Sequence, residues 1–118
     1  MITPTINSKQ LTMELDTGSA VTIISEQTLK ERFGNVKLDK PYSTLKSYSG
    51  ETIKQAGSIH VRVTYNNQTK DLRLCVVKGI RASLFGRDWV NEINVDWSSV
   101  MRVNKIVLQT NHLATLMI

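Results

Sequence analysis

The sequence lacks several features that would point to other classes of protein. Cys75 is the only cysteine among 118 residues, which excludes an internal disulfide and a cysteine-based zinc site. No apolar run approaches the roughly 20 residues that a membrane-spanning helix needs. The first five residues have neither the positive start nor the apolar stretch of a secretory signal. These absences predict an intracellular globular protein with no membrane association.

A concentrated block of positive charge is also missing. Fifteen lysines and arginines against ten acidic residues give a net charge of +5, but the basic residues are scattered from Lys9 to Lys105. Nucleic acid is therefore not expected as a direct ligand. His60 and His112 lack the spacing of metal ligands, and no metal or cofactor is expected.

Short segments of alternating apolar and polar residues make up most of the chain, with turn signals between them. This pattern predicts a mainly β protein, and the length fits one domain over residues 1–118, with a weakly specified tail over 104–118. Ser25 as a cap and Gly34 as a stop predict a helix over 26–33. A second short helix is predicted from Arg87 to about Ile93.

Further strands are predicted around these helices. Residues 44–48 and 51–55 predict a hairpin with a polar tip at Ser49-Gly50, and Gly57 predicts a bulge or bend just after it. Strands follow over 59–64, 70–77 and 82–85, and edge strands over 95–97 and 100–103.

One triplet carries recognisable chemistry, the Asp16-Thr17-Gly18 turn that follows an apolar strand. A glycine there lets backbone approach closely, and neighbouring hydroxyls can hold the carboxylate. Hydrolysing a peptide bond with aspartates needs two of them, one ionised to take a proton from water and one neutral to protonate the carbonyl. The triplet occurs once, so the second carboxylate has to be found elsewhere. The alternative without a catalytic role is an Asp-Gly type turn in a hairpin.

A second motif, Leu84-Phe85-Gly86-Arg87, lies about 70 residues downstream. Two apolar residues and a glycine at the end of a strand let another segment cross close to the backbone. Arg87, at the start of a helix, is placed to form a forked salt bridge that locks the junction.

Together the two motifs resemble those of the retropepsins, the single-lobe aspartic proteases of retroviruses and LTR retrotransposons, with the gypsy-like branch the nearest. The resemblance covers about residues 5–103, because the Ser49-Gly50 hairpin matches the flap of that family and residues 93–97 match the segment after the second motif. It implies a single-lobe acid-protease barrel with a short helix before the C-terminal strands.

The resemblance also implies roles for individual residues. Asp16 corresponds to the catalytic carboxylate, Thr17 to the threonine that hydrogen-bonds across the dimer to the partner's loop, and Ser19 to a support for Asp16. The residues expected to support the catalytic loop are Thr17, Gly18, Ser19, Leu84, Phe85, Gly86 and Arg87. The flap spans about 45–53, and the residues expected to bind substrate there are Ser47, Tyr48, Ser49, Gly50 and Glu51.

A chain with one Asp-Thr-Gly that is too short for two lobes is expected to act as a homodimer, with one aspartate from each copy. The expected activity is that of an endopeptidase cleaving an extended polypeptide, and the resemblance implies a Gag-Pol type polyprotein, cleaved in the cytoplasm or within a virus-like particle.

Two alternatives stay open. Ser19-Ala20-Val21 stand where retroviral members carry acidic residues, which leaves Arg87 without an assigned partner, and the flap tip is not glycine-rich. These departures favour a catalytically inactive retropepsin-like dimerisation or binding module. A basic nucleic-acid-binding domain is the weaker alternative.

Overall fold

The computed structural model describes residues 1–47 and 49–97. The strands in chain order are β1 (Thr5–Ile6), β2 (Lys9–Gln10), β3 (Glu14–Leu15), β4 (Ile23–Ser25), β5 (Leu45–Lys46), β6 (Thr52–Ile53), β7 (Gln55–Tyr65), β8 (Gln68–Val77) and β9 (Leu84–Phe85). Helix α1 (Glu26–Phe33) follows β4, and helix α2 (Arg87–Val90) follows β9.

Seven strands form one mixed sheet in the order β2-β1-β7-β8-β4-β9-β3, and β5 pairs with β6 as a separate hairpin. Ile2, before β1, and Met13, before β3, exchange backbone hydrogen bonds of 2.9 and 2.7 Å. Because these residues come from opposite sides of the strand order, the sheet curls round into a half-barrel. The mainly β, single-lobe prediction is confirmed.

The β7–β8 hairpin is the longest element, and its alternation is the one seen in the sequence. Ile59, Val61 and Val63 are buried while the residues between them are exposed. The bulge predicted at Gly57 is confirmed by a register shift between Gln55 and Gly57. Gly57 has φ +154°, and a Cβ there would lie 2.7 Å from the carbonyl oxygen of a neighbouring loop residue. The bulge therefore requires glycine.

Helix α1 has the predicted limits because its end signals are local. The Ser25 hydroxyl accepts a hydrogen bond of 3.1 Å from the amide of Thr28. Gly34 ends the helix with φ +79°, and its amide donates to the carbonyl of Lys30. Leu29 is the buried residue that fixes the helix against the sheet.

The buried side chains form two clusters. The larger one fills the half-barrel and includes Phe85 and Trp89, whose rings meet edge to face with centroids 5.4 Å apart. The smaller one consists of Ile23, Ile53, Cys75 and Val77, with partly buried neighbours that include Leu84.

The C-terminal part differs from the prediction. Helix α2 ends at Val90 rather than near Ile93, because the amides of Glu92 and Ile93 both donate to the carbonyl of Trp89 and close a turn. Residues 95 and 96 form no strand; Val95 is buried in the larger cluster instead. The strand predicted over 100–103 and the tail over 104–118 lie outside the described residues. Among the described residues, no helix has the length and apolar character to span a membrane.

Candidate active site

Asp16 lies at the end of β3, where the main chain is tied to a distant strand. Its amide donates to the carbonyl of Phe85 at 3.0 Å. Strand β9 lies between β3, which runs parallel to it, and β4, which runs antiparallel. The connection over residues 16–22 therefore crosses the end of β9, and the two predicted motifs meet there.

The turn itself is held by hydrogen bonds within the Asp16 loop. The amide of Gly18 donates to Oδ1 of Asp16 at 2.9 Å, and the amide of Ser19 donates to the Asp16 carbonyl at 3.1 Å. The buried hydroxyl of Ser19 donates to the carbonyl of Val21 at 2.6 Å. Ser19 thus holds the loop rather than the carboxylate, which accepts a bond from backbone.

Gly86 is the point at which the two segments touch. A Cβ on Gly86 would lie 2.4 Å from the carbonyl oxygen of Val21 and 2.9 Å from that of Ser19. Both contacts are with backbone atoms, so a side chain there would displace the loop. The next amide, that of Arg87, donates to the Ser19 carbonyl at 2.9 Å and fixes the crossing.

A chain of side-chain hydrogen bonds, which the sequence did not predict, closes the junction. The amide of Gly86 donates to the buried hydroxyl of Thr22 at 2.9 Å, and that hydroxyl donates to Oδ1 of Asp88 at 2.7 Å. The same oxygen also accepts from the amide of Trp89, in the first turn of α2, at 2.8 Å. The signal available in the sequence was a single threonine within the otherwise apolar run Val21-Thr22-Ile23-Ile24.

Asp88 is unusual because its carboxylate is largely withdrawn from water. Burial raises its pKa above the ordinary value of 3.8, while the hydrogen bonds from Thr22 and Trp89 act in the opposite direction.

The forked salt bridge expected of Arg87 is not found. Within residues 1–47 and 49–97 its guanidinium forms no ion pair. The junction is locked instead by the Arg87 backbone amide and by the Thr22–Asp88 pair.

Thr17 lies half-buried beside Asp16, with its side-chain oxygen sealed from solvent. That oxygen has no hydrogen-bond partner among the described residues. Buried hydroxyls are nearly always paired in folded proteins, and leaving one unpaired costs about 1–3 kcal/mol. Among the described residues the Thr17 hydroxyl is therefore an unpaired donor and acceptor.

The predicted flap is a hairpin in the structure. Strands β5 and β6 pair antiparallel, the amide of Ser47 donates to the Glu51 carbonyl at 2.8 Å, and the amide of Gly50 donates to the Ser47 carbonyl at 2.9 Å. Gly50 has φ +89°, and the hydroxyls of Ser47 and Ser49 lie 3.0 Å apart. Tyr48 lies outside the described residues.

The base of the flap is joined to the strands of the Asp16 loop. Ile53 packs in the smaller cluster with Ile23, and Leu84 packs against it. The side-chain amide of Gln55 accepts from the amide of Tyr42 at 2.8 Å and donates to its carbonyl at 3.2 Å, which fastens the two ends of the hairpin.

Other reactive groups do not extend the site. Cys75 is fully buried, and burial raises the pKa of its thiol to about 12, so it stays protonated at neutral pH. The described residues contain no group of three or more side chains that could hold a metal ion.

The family model for the retroviral aspartyl protease matches residues 1–97. The chain belongs to the retroviral aspartyl protease family. No curated protein matched the sequence.

Solved structures of retropepsin-like proteins share the fold. The EIAV protease, complexed with the inhibitor HBY-793, has a TM-score of 0.66 at 18% identity, covering 77% of this chain and 84% of its own. A retropepsin-like aspartic protease from Rickettsia conorii has a TM-score of 0.58 at 16% identity, covering 80% and 69%. The retroviral protease-like domain of Ddi1 from Leishmania major has a TM-score of 0.55 at 16% identity, covering 77% and 74%.

Membership of the retroviral aspartyl protease family confirms the resemblance to retropepsins found in the sequence, whereas the gypsy-like branch stays a prediction. The two motifs that carried it are the segments that meet at the crossing of β9. The roles predicted for Asp16, for the loop around it and for the flap remain predictions.

Proposed function

We propose that this chain is an aspartic endopeptidase that acts as a homodimer and cleaves extended polypeptides, such as a Gag-Pol type polyprotein. The observation that carries the proposal is the Asp16 turn, held by Gly18, by the Phe85 carbonyl and by the crossing at Gly86. Such fastening gives a reacting carboxylate one fixed position.

The unpaired hydroxyl of Thr17 supports the dimer. It lies next to Asp16 and finds no partner in its own described chain. Once the half-buried Thr17 side chain turns toward the surface, a second copy related by a two-fold axis would offer its own Thr17 loop to this hydroxyl and would bring a second Asp16 to the same place. The partner interaction and the second carboxylate thus come from one arrangement.

The chemistry follows from placing two carboxylates side by side. Two negative charges about 3 Å apart repel by roughly 5 kcal/mol at an effective dielectric constant of 20, so the pair holds one proton. The ionised Asp16 takes a proton from water as the water oxygen attacks the peptide carbon, and the protonated Asp16 gives its proton to the carbonyl oxygen. As the tetrahedral intermediate collapses and the C–N bond breaks, the Asp16 that took the water proton gives it to the leaving nitrogen, and the other Asp16 takes a proton from a hydroxyl of the intermediate, which restores the singly protonated pair. The flap would hold the substrate as an added strand.

The decisive variant is Asp16→Asn. Removing the acid–base group is expected to lower kcat on peptide substrates by about 10²- to 10⁴-fold. Asp71→Asn is the matched control, because it makes the same chemical change at an exposed position of β8. Peptide cleavage by both purified variants is followed by mass spectrometry, and equal activity of Asp16→Asn and the unaltered chain would refute the proposal.

Mixing the two forms tests the shared dyad. If each active dimer needs two intact copies, an equal amount of Asp16→Asn that exchanges freely is expected to lower the activity of the unaltered chain to about half.

Sedimentation and pepstatin titration identify the inactive module: a dimer that neither binds pepstatin nor cleaves peptides would support that alternative.

A further inference from the structure

A cavity of about 360 Å³ lies between the flap and the segment that follows β8. One side is formed by Ser47 and residues 51–53 of the flap together with Lys54 just after it, and the other by Lys78, Gly79 and Arg81. Ile53, at the inner end, is buried in the smaller cluster, against which Leu84 packs. The cavity therefore shares apolar packing with the strands beside the Asp16 loop.

Most of the charged residues that line this cavity are positive. Lys54, Lys78 and Arg81 contribute three positive charges to its lining, against the single carboxylate of Glu51. All four residues are exposed. None of them takes part in the ion pairs found within residues 1–47 and 49–97. The cavity thus offers three cations that the described chain does not neutralise.

Two of these positively charged residues, Lys54 and Lys78, lie opposite each other on neighbouring segments. The amide of Lys78 donates to the carbonyl of Lys54 at 2.9 Å, next to the Gln55–Val77 pair of the β7–β8 ladder. Like charges directly opposite each other on neighbouring strands are destabilising. An anionic group bound between the lysines would remove this repulsion.

The cavity is also close to the proposed site along the chain. Arg81 precedes Leu84 by three residues, a span of at most about 11 Å. Leu84 pairs with Glu14 and Ile23, and the carbonyl of its neighbour Phe85 accepts from the Asp16 amide. Asp16 therefore lies at most about 20 Å from Arg81, a distance that an extended peptide covers in about six residues.

We propose that this cavity binds acidic side chains of the polypeptide substrate, so that the enzyme prefers Asp or Glu a few residues away from the bond it cleaves. The inference rests on the proposed endopeptidase function. Carboxylates would form charge-assisted hydrogen bonds with Lys54, Lys78 and Arg81. In a homodimer each copy supplies one cavity, so acidic residues are favoured on both sides of the cleaved bond.

The preference is measured on peptides. A synthetic library is incubated with the unaltered chain, cleavage sites are read by mass spectrometry, and one cleaved peptide is remade with Glu, Gln or Lys at each position flanking the cut. We expect kcat/KM to be about fivefold higher for Glu than for Gln at one or more of these positions. The ratio should shrink between 0.1 and 1 M salt, because the screening length falls from about 10 to about 3 Å.

The double variant Lys54→Gln/Lys78→Gln assigns the preference to the cavity. It is expected to bring the Glu-to-Gln ratio close to one while still cleaving the Gln peptide. The control Lys9→Gln/Lys70→Gln removes the same charge from exposed positions of β2 and β8 and should keep the ratio. Lys54→Glu/Lys78→Glu is expected to reverse the preference towards Lys, a gain that loss of folding cannot produce.

The outcomes separate the two proposals. If the library is not cleaved at all, the endopeptidase function fails and this inference fails with it. If cleavage occurs with no Glu preference, or if both glutamine variants change the ratio equally, the acidic preference alone is refuted. A drop in binding of a single-stranded oligonucleotide by Lys54→Gln/Lys78→Gln, with the peptide ratio unchanged, would assign the cavity to nucleic acid and overturn the proposal.

Discussion

Gly86 has almost no room for a side chain beside the Asp16 loop. Its missing Cβ would overlap backbone atoms of Val21 and approach the carbonyl of Ser19. Main-chain atoms of a hydrogen-bonded loop cannot move aside as a flexible side chain does. Only the hydrogen atom of a glycine fits between the end of β9 and the Asp16 loop.

Gly86→Ala is expected to lower the free energy of unfolding by about 3 kcal/mol, because the new methyl group pushes the loop away from β9. Gly79→Ala is the matched control. It lies at φ +84° with nothing within 4 Å of a Cβ, so it should lose only about 1–2 kcal/mol from the backbone conformation. Urea denaturation of both variants measures the difference, and equal losses would show that the crossing at Gly86 is not tightly packed.

At the scale of elements, the hydrogen-bonded pair of Thr22 and Asp88 joins β4 to the start of α2. A carboxyl with a raised pKa holds its proton more readily in the folded chain than in the unfolded one. Its contribution to stability is complete below the ordinary value of 3.8 and is lost as the pH rises through the raised folded-state value.

Asp88→Asn removes this dependence while keeping an oxygen that accepts from Thr22 and Trp89. The free energy of unfolding of the variant minus that of the unaltered chain is expected to increase as the pH rises from 3.8 through the raised pKa of Asp88. Urea denaturation at a series of pH values measures it. A difference that stays constant with pH would show that the Asp88 carboxyl titrates equally in the folded and unfolded chains.

Elements whose signals are local were predictable from the sequence. Helix α1 begins at a serine cap and ends at a glycine, and the β7–β8 hairpin shows its alternation and its bulge in the residues themselves. Helix α2 is shorter than predicted because a single carbonyl, that of Trp89, accepts two amides and closes the turn. Sequence periodicity carries no information on that competition.

The two motifs of the site were predictable from the sequence, whereas several of the hydrogen bonds that hold the site were not. The meeting of the Asp16 and Gly86 segments followed from the family resemblance. The bond from Thr22 to Asp88 did not, because it depends on which residues the half-barrel brings together across 66 positions. Arg87 illustrates the same limit: its charge suggested a salt bridge, whereas the fold uses its amide.

At the scale of the whole molecule, replacing Thr17 is expected to affect the stability of the single chain and the association of two chains differently. Thr17→Val keeps the shape of the side chain and removes the unpaired oxygen. The unfolding free energy of the isolated chain is expected to stay the same or rise by about 1 kcal/mol, while association weakens by about 1–3 kcal/mol, because the bond to the second copy is lost.

Sedimentation equilibrium measures the association, and denaturation at high dilution measures the single chain. Thr17→Ser retains the hydroxyl and should preserve most of the dimer. An undiminished dimer in Thr17→Val would show that this hydroxyl does not bridge the copies.

The bond between the Asp16 amide and the Phe85 carbonyl also sets an order of events. Its two ends are separated by 85 minus 16, or 69, residues, and a ribosome adding about 5–20 residues per second makes the second end roughly 3–14 seconds after the first. Until then the Asp16 loop has neither β9 beneath it nor Gly86 to cross. A growing chain therefore cannot hold its aspartate in the fixed position until nearly all of the half-barrel has been made.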